Sequence, residues 1–335
     1  SGLEEGFDAY DEGMYQEALQ EFLPLANQGD ARAQYHVGHM YSSGKGVPRD
    51  EQEALKWYRL AAAQGHDAAQ FSIGLSYQWG QGVPLNDKEA VKWFRLAAEQ
   101  GNSHAQDMLG TLYEFGEGVP QDYKEALKWY LLAADQGNKE AQSSLGDMYR
   151  TGKGVKQNYQ NALKWYRRAA DMGNILAQFN LGQMYHNGNG VSQNYQEAIK
   201  WYRRSADQDH ASASYYLGLM YDIGRGVTQD YKEAIKWYRR AAVQGIANAQ
   251  ANLGSMYGNG QGVPKNNIVA YALSNVSTTR DPSSSNEATR NRTLLTQRMT
   301  AQEIRTGQIL AQEMMKPGNL LGALDGYLKS NPTTK

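Results

Sequence analysis

The chain has 335 residues, with 34 Lys and Arg against 35 Asp and Glu and a formal net charge of −1. That balance gives no reason to expect nucleic acid or an anionic membrane as the main partner. Cysteine is absent, which excludes disulfides, thiolate metal sites and cysteine nucleophiles, and no apolar run approaches the roughly 18 residues that span a bilayer.

No leader-like segment opens the chain. Ser1-Gly2 reads as an expression scar, which leaves room for a leader removed from the natural protein. The next segment carries Glu17-Ala18-Leu19, a string that returns throughout the chain. An incomplete starting unit is therefore expected over roughly 3–29, within an N-terminal cap spanning 1–32.

From there a strict repeat sets in. Trp57, Trp93, Trp129, Trp165, Trp201 and Trp237 follow one another at a constant step (93 − 57 = 36). Gly38, Gly74, Gly110, Gly146, Gly182, Gly218 and Gly254 keep the same step, as do the Gly-x-Gly pairs from Gly44/Gly46 to Gly260/Gly262. Six full units and a degenerate seventh, in which Ala270-Tyr271-Ala272-Leu273 replaces Glu-Ala-x-Lys-Trp, make an array over 33–280.

Each unit reads as a pair of helices. In the first, Ala33, Val37, Met40 and Tyr41 fall at i, i+4, i+7 and i+8, the stripe of an amphipathic helix. Gly38 lies beside that stripe. Glycine in a helix costs about 1 kcal/mol relative to alanine, so its recurrence points to close approach of a paired helix, with small alanines of that helix opposite it. Gly44-Lys45-Gly46-Val47-Pro48 breaks the first helix. The second opens near Asp50 and Glu51, whose charges suit an N-terminus, and places Ala54, Tyr58, Ala61 and Ala62 on one face. Lys56 and Arg59 point to water, and Gln64-Gly65 ends the helix. Such a pair is too small to stand alone, so stability has to come from stacking. The periodic tryptophans are expected to fill the seams between units.

After Tyr271 the pattern decays. Arg280 to Asn286 reads as a loop and Glu287 to Met299 as a helix. Thr300-Ala301-Gln302-Glu303 is a capping box opening a helix to about Met315, which Pro317-Gly318 stops. Leu320, Leu321, Leu324, Tyr327 and Leu328 are expected to form a short turn that docks back, with Ser330 to Lys335 loose. Residues 281–335 are thus read as a C-terminal helical cap and tail.

The recurring string includes Ala105-Gln106, Leu109-Gly110, Gly116-Glu117-Gly118-Val119 and Glu125-Ala126-Leu127-Lys128-Trp129-Tyr130. It resembles the Sel1-like repeat, a longer relative of the tetratricopeptide repeat, over about 30–280. The resemblance implies an all-α fold, a right-handed α-solenoid superhelix of 36-residue helix-turn-helix repeats with a concave inner face, and an adaptor or scaffold role. It also implies a periplasmic or secreted location, since many bacterial members are exported and some are virulence factors that meet host proteins. One branch of the family is rich in cysteine and linked to β-lactams. This chain has no Cys and no supported Ser-x-x-Lys, so that activity is not carried over.

Alignment with tetratricopeptide repeats identifies Val37-Gly38 and Tyr41 as first-helix framework and turns other positions inward. Arg32, Tyr35, His39 and Ser42 are the inward set of the first unit. The second unit offers Phe71, Leu75 and Gln78, and the third Asp107, Thr111 and Glu114. The fourth offers Glu140, Asp147 and Arg150, the fifth Phe179, Gln183 and His186, and the sixth Tyr215, Leu219 and Asp222. These positions vary while the framework repeats, so specificity can reside there. Aromatic anchors near Arg are common at interface hot spots, and the acids of the third and fourth units suggest an acidic middle. A partner segment or helix with apolar anchors and a basic centre would fit such a groove. Packing of the same side chains against neighbouring first helices is the competing explanation.

Signals for catalysis are weak. His36 and His39 lie three apart with no carboxylate at a usable spacing. His104, His186 and His210 share no register with a nucleophile. Residues such as Asp122, Glu125 and Asp230 are explained by helix starts, and Gly-x-Gly lacks the third glycine and preceding strand of a phosphate loop. Arg167-Arg168, Arg203-Arg204 and Arg239-Arg240 read as a solvated outer strip. The expectation is a non-catalytic monomer that binds one or more proteins and needs no cofactor or metal. The alternative of another class is a cell-envelope enzyme or binding module acting on peptidoglycan-like or β-lactam compounds.

Overall fold

The computed structural model of the chain describes residues 2–282 and 285–332. Every regular element among them is an α-helix. They run as consecutive antiparallel neighbours. The first pair is α1 (Gly2–Asp11) and α2 (Tyr15–Asn27). Then come α3 (Ala31–Ser43) with α4 (Glu51–Ala63), and α5 (Asp67–Trp79) with α6 (Asp87–Glu99). Next are α7 (Ser103–Phe115) with α8 (Tyr123–Asp135), and α9 (Lys139–Thr151) with α10 (Tyr159–Asp171). These form one compact unit, to residue 172. A second unit begins at 173 and pairs α11 (Ile175–Asn187) with α12 (Tyr195–Ala206), α13 (Ala211–Ile223) with α14 (Tyr231–Val243), and α15 (Ala247–Asn259) with α16 (Asn267–Arg280). It ends with α17 (Ser285–Thr296), α18 (Ala301–Met315) and α19 (Leu320–Ser330).

Helix starts and stops follow from side-chain chemistry. Asp30, Asn102, Asn138 and Asn174 cap first helices by accepting from the N–H three residues on. His66 and His210 do the same through Nδ1. Asp50, Asp122 and Asp230 cap second helices, and the N–H of Glu125 donates to Asp122. Gly44 sits at φ +68 as a left-handed C-cap. Gly46 has a further reason to lack a side chain: a Cβ there would lie 2.7 Å from the carbonyl oxygen of Tyr15 in α2. The second glycine of the pair is therefore where a turn presses on the preceding repeat, as it does again at Gly82, Gly118, Gly154, Gly226 and Gly262.

Close approach within a pair is made differently from the sequence reading. A Cβ on Gly38 would meet the Tyr58 ring at 2.8 Å, and on Gly110 the Tyr130 ring at 2.7 Å. The glycine makes room for a buried aromatic ring of the second helix, not for alanine side chains. Ala54 contributes its carbonyl oxygen at 3.1 Å.

The tryptophans of the first four repeats fill the seams as expected. Trp57 packs on the core of Phe22, Val37 and Met40, and Trp93 on that of Leu55 and Ile73. Trp129 belongs to the core built from Phe94 and Leu109, and Trp165 to that of Tyr130 and Leu145. The recurring glutamine is a seam residue too. Gln106 Nε2 donates to the Ala98 carbonyl, and its Oε1 accepts from Gln136 at 2.8 Å. Gln34 and Gln70 accept in the same way from Gln64 and Gln100, so these buried amides tie neighbouring repeats together.

The C-terminal segment departs in detail. Arg280 still belongs to α16 and Ser285 already to α17, so the expected loop shrinks, and residues 283–284 lie outside the described residues. The capping box at Thr300 and Glu303 is present. The expected short turn is an 11-residue helix, α19, because Leu320 and Leu324 are buried against α14 and α18 and hold the extra turns in place. Of the tail expected to be loose, 333–335 lie outside the described residues.

Candidate functional site

The variable first-helix positions are mostly half-buried, with Arg32, Glu140 and Arg150 exposed. In unit 1 the Arg32 guanidinium lies over Phe7 at 5.1 Å. Tyr35 stacks on His66 at 4.8 Å between centroids, and burial raises its hydroxyl pKa. His39 Nδ1 meets the Tyr10 hydroxyl at 3.1 Å, and Ser42 is half-buried on the same helix. Neighbouring His36 stacks on Phe22, and burial followed by repulsion from His39 lowers it to about 4. These histidines are thus packed, neutral side chains near neutrality. Phe71 lies against Phe94 and His104, and Leu75 packs on the same core. Gln78 Oε1 is buried with no partner.

The third and fourth repeats hold the acids. Asp107 occupies the register of the aromatics Tyr35 and Phe71. One of its oxygens is buried without a partner, and burial, with Glu140 adding repulsion, raises it to about 7. Glu114 accepts from the Tyr130 hydroxyl at 2.9 Å, and Thr111 Oγ1 lies 3.2 Å from the same hydroxyl. Asp147 accepts from the Tyr166 hydroxyl at 2.7 Å and pairs with Arg150 at 3.1 Å.

In unit 2, Phe179 contacts Tyr202, His210 and Tyr216. Gln183 Nε2 and His186 Nδ1 are buried and unpartnered. Tyr215 packs on Tyr238, and Asp222 accepts from the Tyr238 hydroxyl at 3.0 Å. Tyr215, Leu219, Asp222, Asn252, Ser255 and Gln261 line an open recess of about 290 Å³.

These side chains therefore pack on their neighbours and also keep part of their surface in solvent. What the sequence reading missed is the second-helix tyrosine. Tyr130, Tyr166 and Tyr238 send their hydroxyls into the variable face and fix its acids. The available signal was a hydroxyl at a framework position where the second repeat uses Phe94.

The arginine strip has structural work. Arg168, Arg204 and Arg240 lie over Trp165, Trp201 and Trp237 of their own helices, and Arg239 pairs with Asp325 of α19 at 2.6 Å. Among the described residues no group of three or more His, Asp or Glu could hold a metal ion, and no helix is long and apolar enough to cross a membrane.

Stacked helix pairs with a buried seam and a variable first-helix face define an α-solenoid of the tetratricopeptide-like class. Seven consecutive segments, 31–66, 67–102, 103–138, 139–174, 175–210, 211–246 and 247–274, match the Sel1 repeat, and the chain belongs to the Sel1 repeat family. It is similar to the Sel1 repeat protein of Oxalobacter formigenes, with 34% identity over 72% of this chain and 96% of that one, at a TM-score of 0.67. It is also similar to c5321, a protective antigen of uropathogenic Escherichia coli with the same fold. There the identity is 28% over 100% of this chain and 95% of that one, with a TM-score of 0.56. No curated protein sequence matches significantly. Sel1 repeat proteins are in general protein-interaction scaffolds.

Proposed function

We propose that the chain is a non-catalytic scaffold that holds a segment of a partner protein against the variable first-helix residues. One observation carries this reading. Framework residues such as Leu109, Trp129 and Tyr130 are buried, whereas the first-helix positions that change between repeats keep aromatic, acidic and amide groups partly in solvent. Half-exposed rings on a rigid helical support suit an interface, because little conformational entropy is lost on binding. At the ends of the array, α1 and α2 on one side and α17 to α19 on the other cover the terminal cores. Similarity to a protective antigen supports a host-facing, exported role.

The test uses Leu219→Lys combined with Tyr215→Ala. The reading expects loss of partner capture with unchanged helicity by circular dichroism. Full capture by the folded double variant would overturn it. Fractionation of the producing bacterium tests export: a purely cytosolic chain contradicts it.

A further inference from the structure

The repeats can be compared with one another position by position. In the third repeat, three groups meet on the first-helix face. The Tyr130 hydroxyl donates to Glu114, and Lys153 of the following turn reaches the other oxygen of Glu114 at 4.0 Å while lying over the Tyr123 ring at 5.6 Å. The carboxylate is held by a hydroxyl and a cation.

Two repeats later the same register positions hold His186, Tyr202 and Arg225, with Tyr195 in place of Tyr123. Arg225 lies over the Tyr195 ring at 5.2 Å, as Lys153 does over Tyr123. His186 packs edge-on against that same ring at 5.3 Å. The hydroxyl and the cation are thus retained, and the carboxylate is gone. The consequence is visible in the hydrogen bonding. Tyr202 is 0% exposed, and its hydroxyl has no partner. Gln183 Nε2 and His186 Nδ1 are also buried without partners. Tyr166 and Tyr238, one repeat before and one after, both bond to an aspartate. Arg225 has no carboxylate partner among the described residues.

A buried polar group left without a partner is destabilising, so three together call for an acceptor. Hydroxyl, amide N–H, imidazole N–H and guanidinium all donate, and a carboxylate with two oxygens accepts from several donors at once. The half-buried Tyr216 ring stacks on Tyr202 at 5.3 Å and an interplanar angle of 22°. Phe179 and His186 also lie against the Tyr202 ring, at 5.8 and 6.2 Å, but Tyr216 is the ring that stacks on it.

We infer that the fifth repeat is a carboxylate-binding slot: Tyr202, Gln183, His186 and Arg225 receive an acidic side chain or C-terminus of a partner protein, with Tyr216 as the cover. This rests on the scaffold reading for its biological partner, but the slot itself can be tested without one.

The imidazole of His186 is followed by NMR in the full chain during titration with N-acetyl-aspartate methylamide and, separately, N-acetylglycine. The expected result is saturable movement of the His186 signals and a higher His186 pKa. Affinity should fall about tenfold in Tyr202→Phe and in Arg225→Gln, the loss of one charge-assisted bond. A response to the aspartate derivative alone assigns the slot to acidic side chains, and to acetylglycine alone, to a chain end. His186→Glu restores the third-repeat arrangement, so it should raise the melting temperature and abolish binding of both probes. If neither probe moves His186, or if His186→Glu leaves binding intact, the slot does not exist and the orphan groups are met by water. A failure of partner capture by Leu219→Lys/Tyr215→Ala to respond would sink the scaffold reading without touching this result.

Discussion

The interior repeat of α7 and α8 and the last repeat of α15 and α16 share a backbone plan and differ in what fills it. In α8, Tyr130 covers Gly110 and Trp129 enters the preceding core, while Lys128 and Leu132 remain exposed. In α16 the same two positions are Ser274 and Leu273, and a Cβ on Gly254 would meet the Ala270 carbonyl oxygen at 3.1 Å, the Leu273 Cβ at 3.2 Å and the Ser274 Oγ at 3.6 Å, with no ring in the way. Tyr271, Ala272, Leu273 and Val276 are all buried, because α17 and α18 pack on this helix as well as α15. A helix covered on several sides needs small and aliphatic residues all round, whereas one with a wet face concentrates its packing in two large rings. The degenerate end of the array is therefore a second solution to the same stacking problem.

That contrast can be broken at several points. The largest effect is expected from Trp129→Ala, a destabilisation of about 3–5 kcal/mol. A melting curve matching the parent would remove tryptophan from the seam. Leu324→Ala, at the end that α19 covers, should cost about 2–4 kcal/mol. Because repeat arrays lose stability locally, hydrogen exchange should rise in α16 and α19 and stay unchanged in α3 and α4. Gly110→Ala should cost about 1–3 kcal/mol by driving a Cβ into Tyr130. Gly254→Ala should cost less than about 1 kcal/mol, since the helix-propensity gain offsets a looser contact. Equal losses at the two glycines would refute the proposed role of the ring.

Asp107 gives a smaller effect that depends on pH. Its ordinary value of 3.8 in the unfolded chain rises to about 7 in the folded one. The folded state binds the extra proton between those values, so this residue's contribution to stability falls as pH rises from about 4 to about 7. Asp107→Asn should therefore stabilise by about 1–2 kcal/mol at pH 8 and change little at pH 4, read by urea denaturation at both. The smallest effect is expected at the exposed Glu125–Lys128 pair, 3.7 Å apart. Glu125→Gln should cost no more than about 0.5 kcal/mol.

The array was legible in the sequence because its period is written in Gly and Trp, residues with few substitutes at a tight turn or a large seam. The capping box at Thr300 was equally plain, since both partners lie within four residues. The role of Tyr130 and its equivalents was not legible. Their rings satisfy the apolar pattern, and only the packing shows that their hydroxyls emerge on the opposite helix beside Glu114, Asp147 and Asp222. The length of α19 was missed for a related reason: its extra turns are held by burial of Leu320 and Leu324 against α14 and α18, contacts far away in sequence. The variable face was legible as a set of positions, while the split of each side chain between packing and solvent needed coordinates.

On the proposed function, first helices meet a partner and second helices do not. Hydroxyl-radical footprinting of the captured complex tests this most directly. Tyr35, Phe71, Leu75, Phe179, Tyr215 and Leu219 should lose oxidation on binding. Leu60, Leu96 and Leu132 on the second helices, exposed by 50%, 46% and 43%, should be oxidised as in the free chain. Protection of those leucines, with the first-helix residues unchanged, would contradict the account.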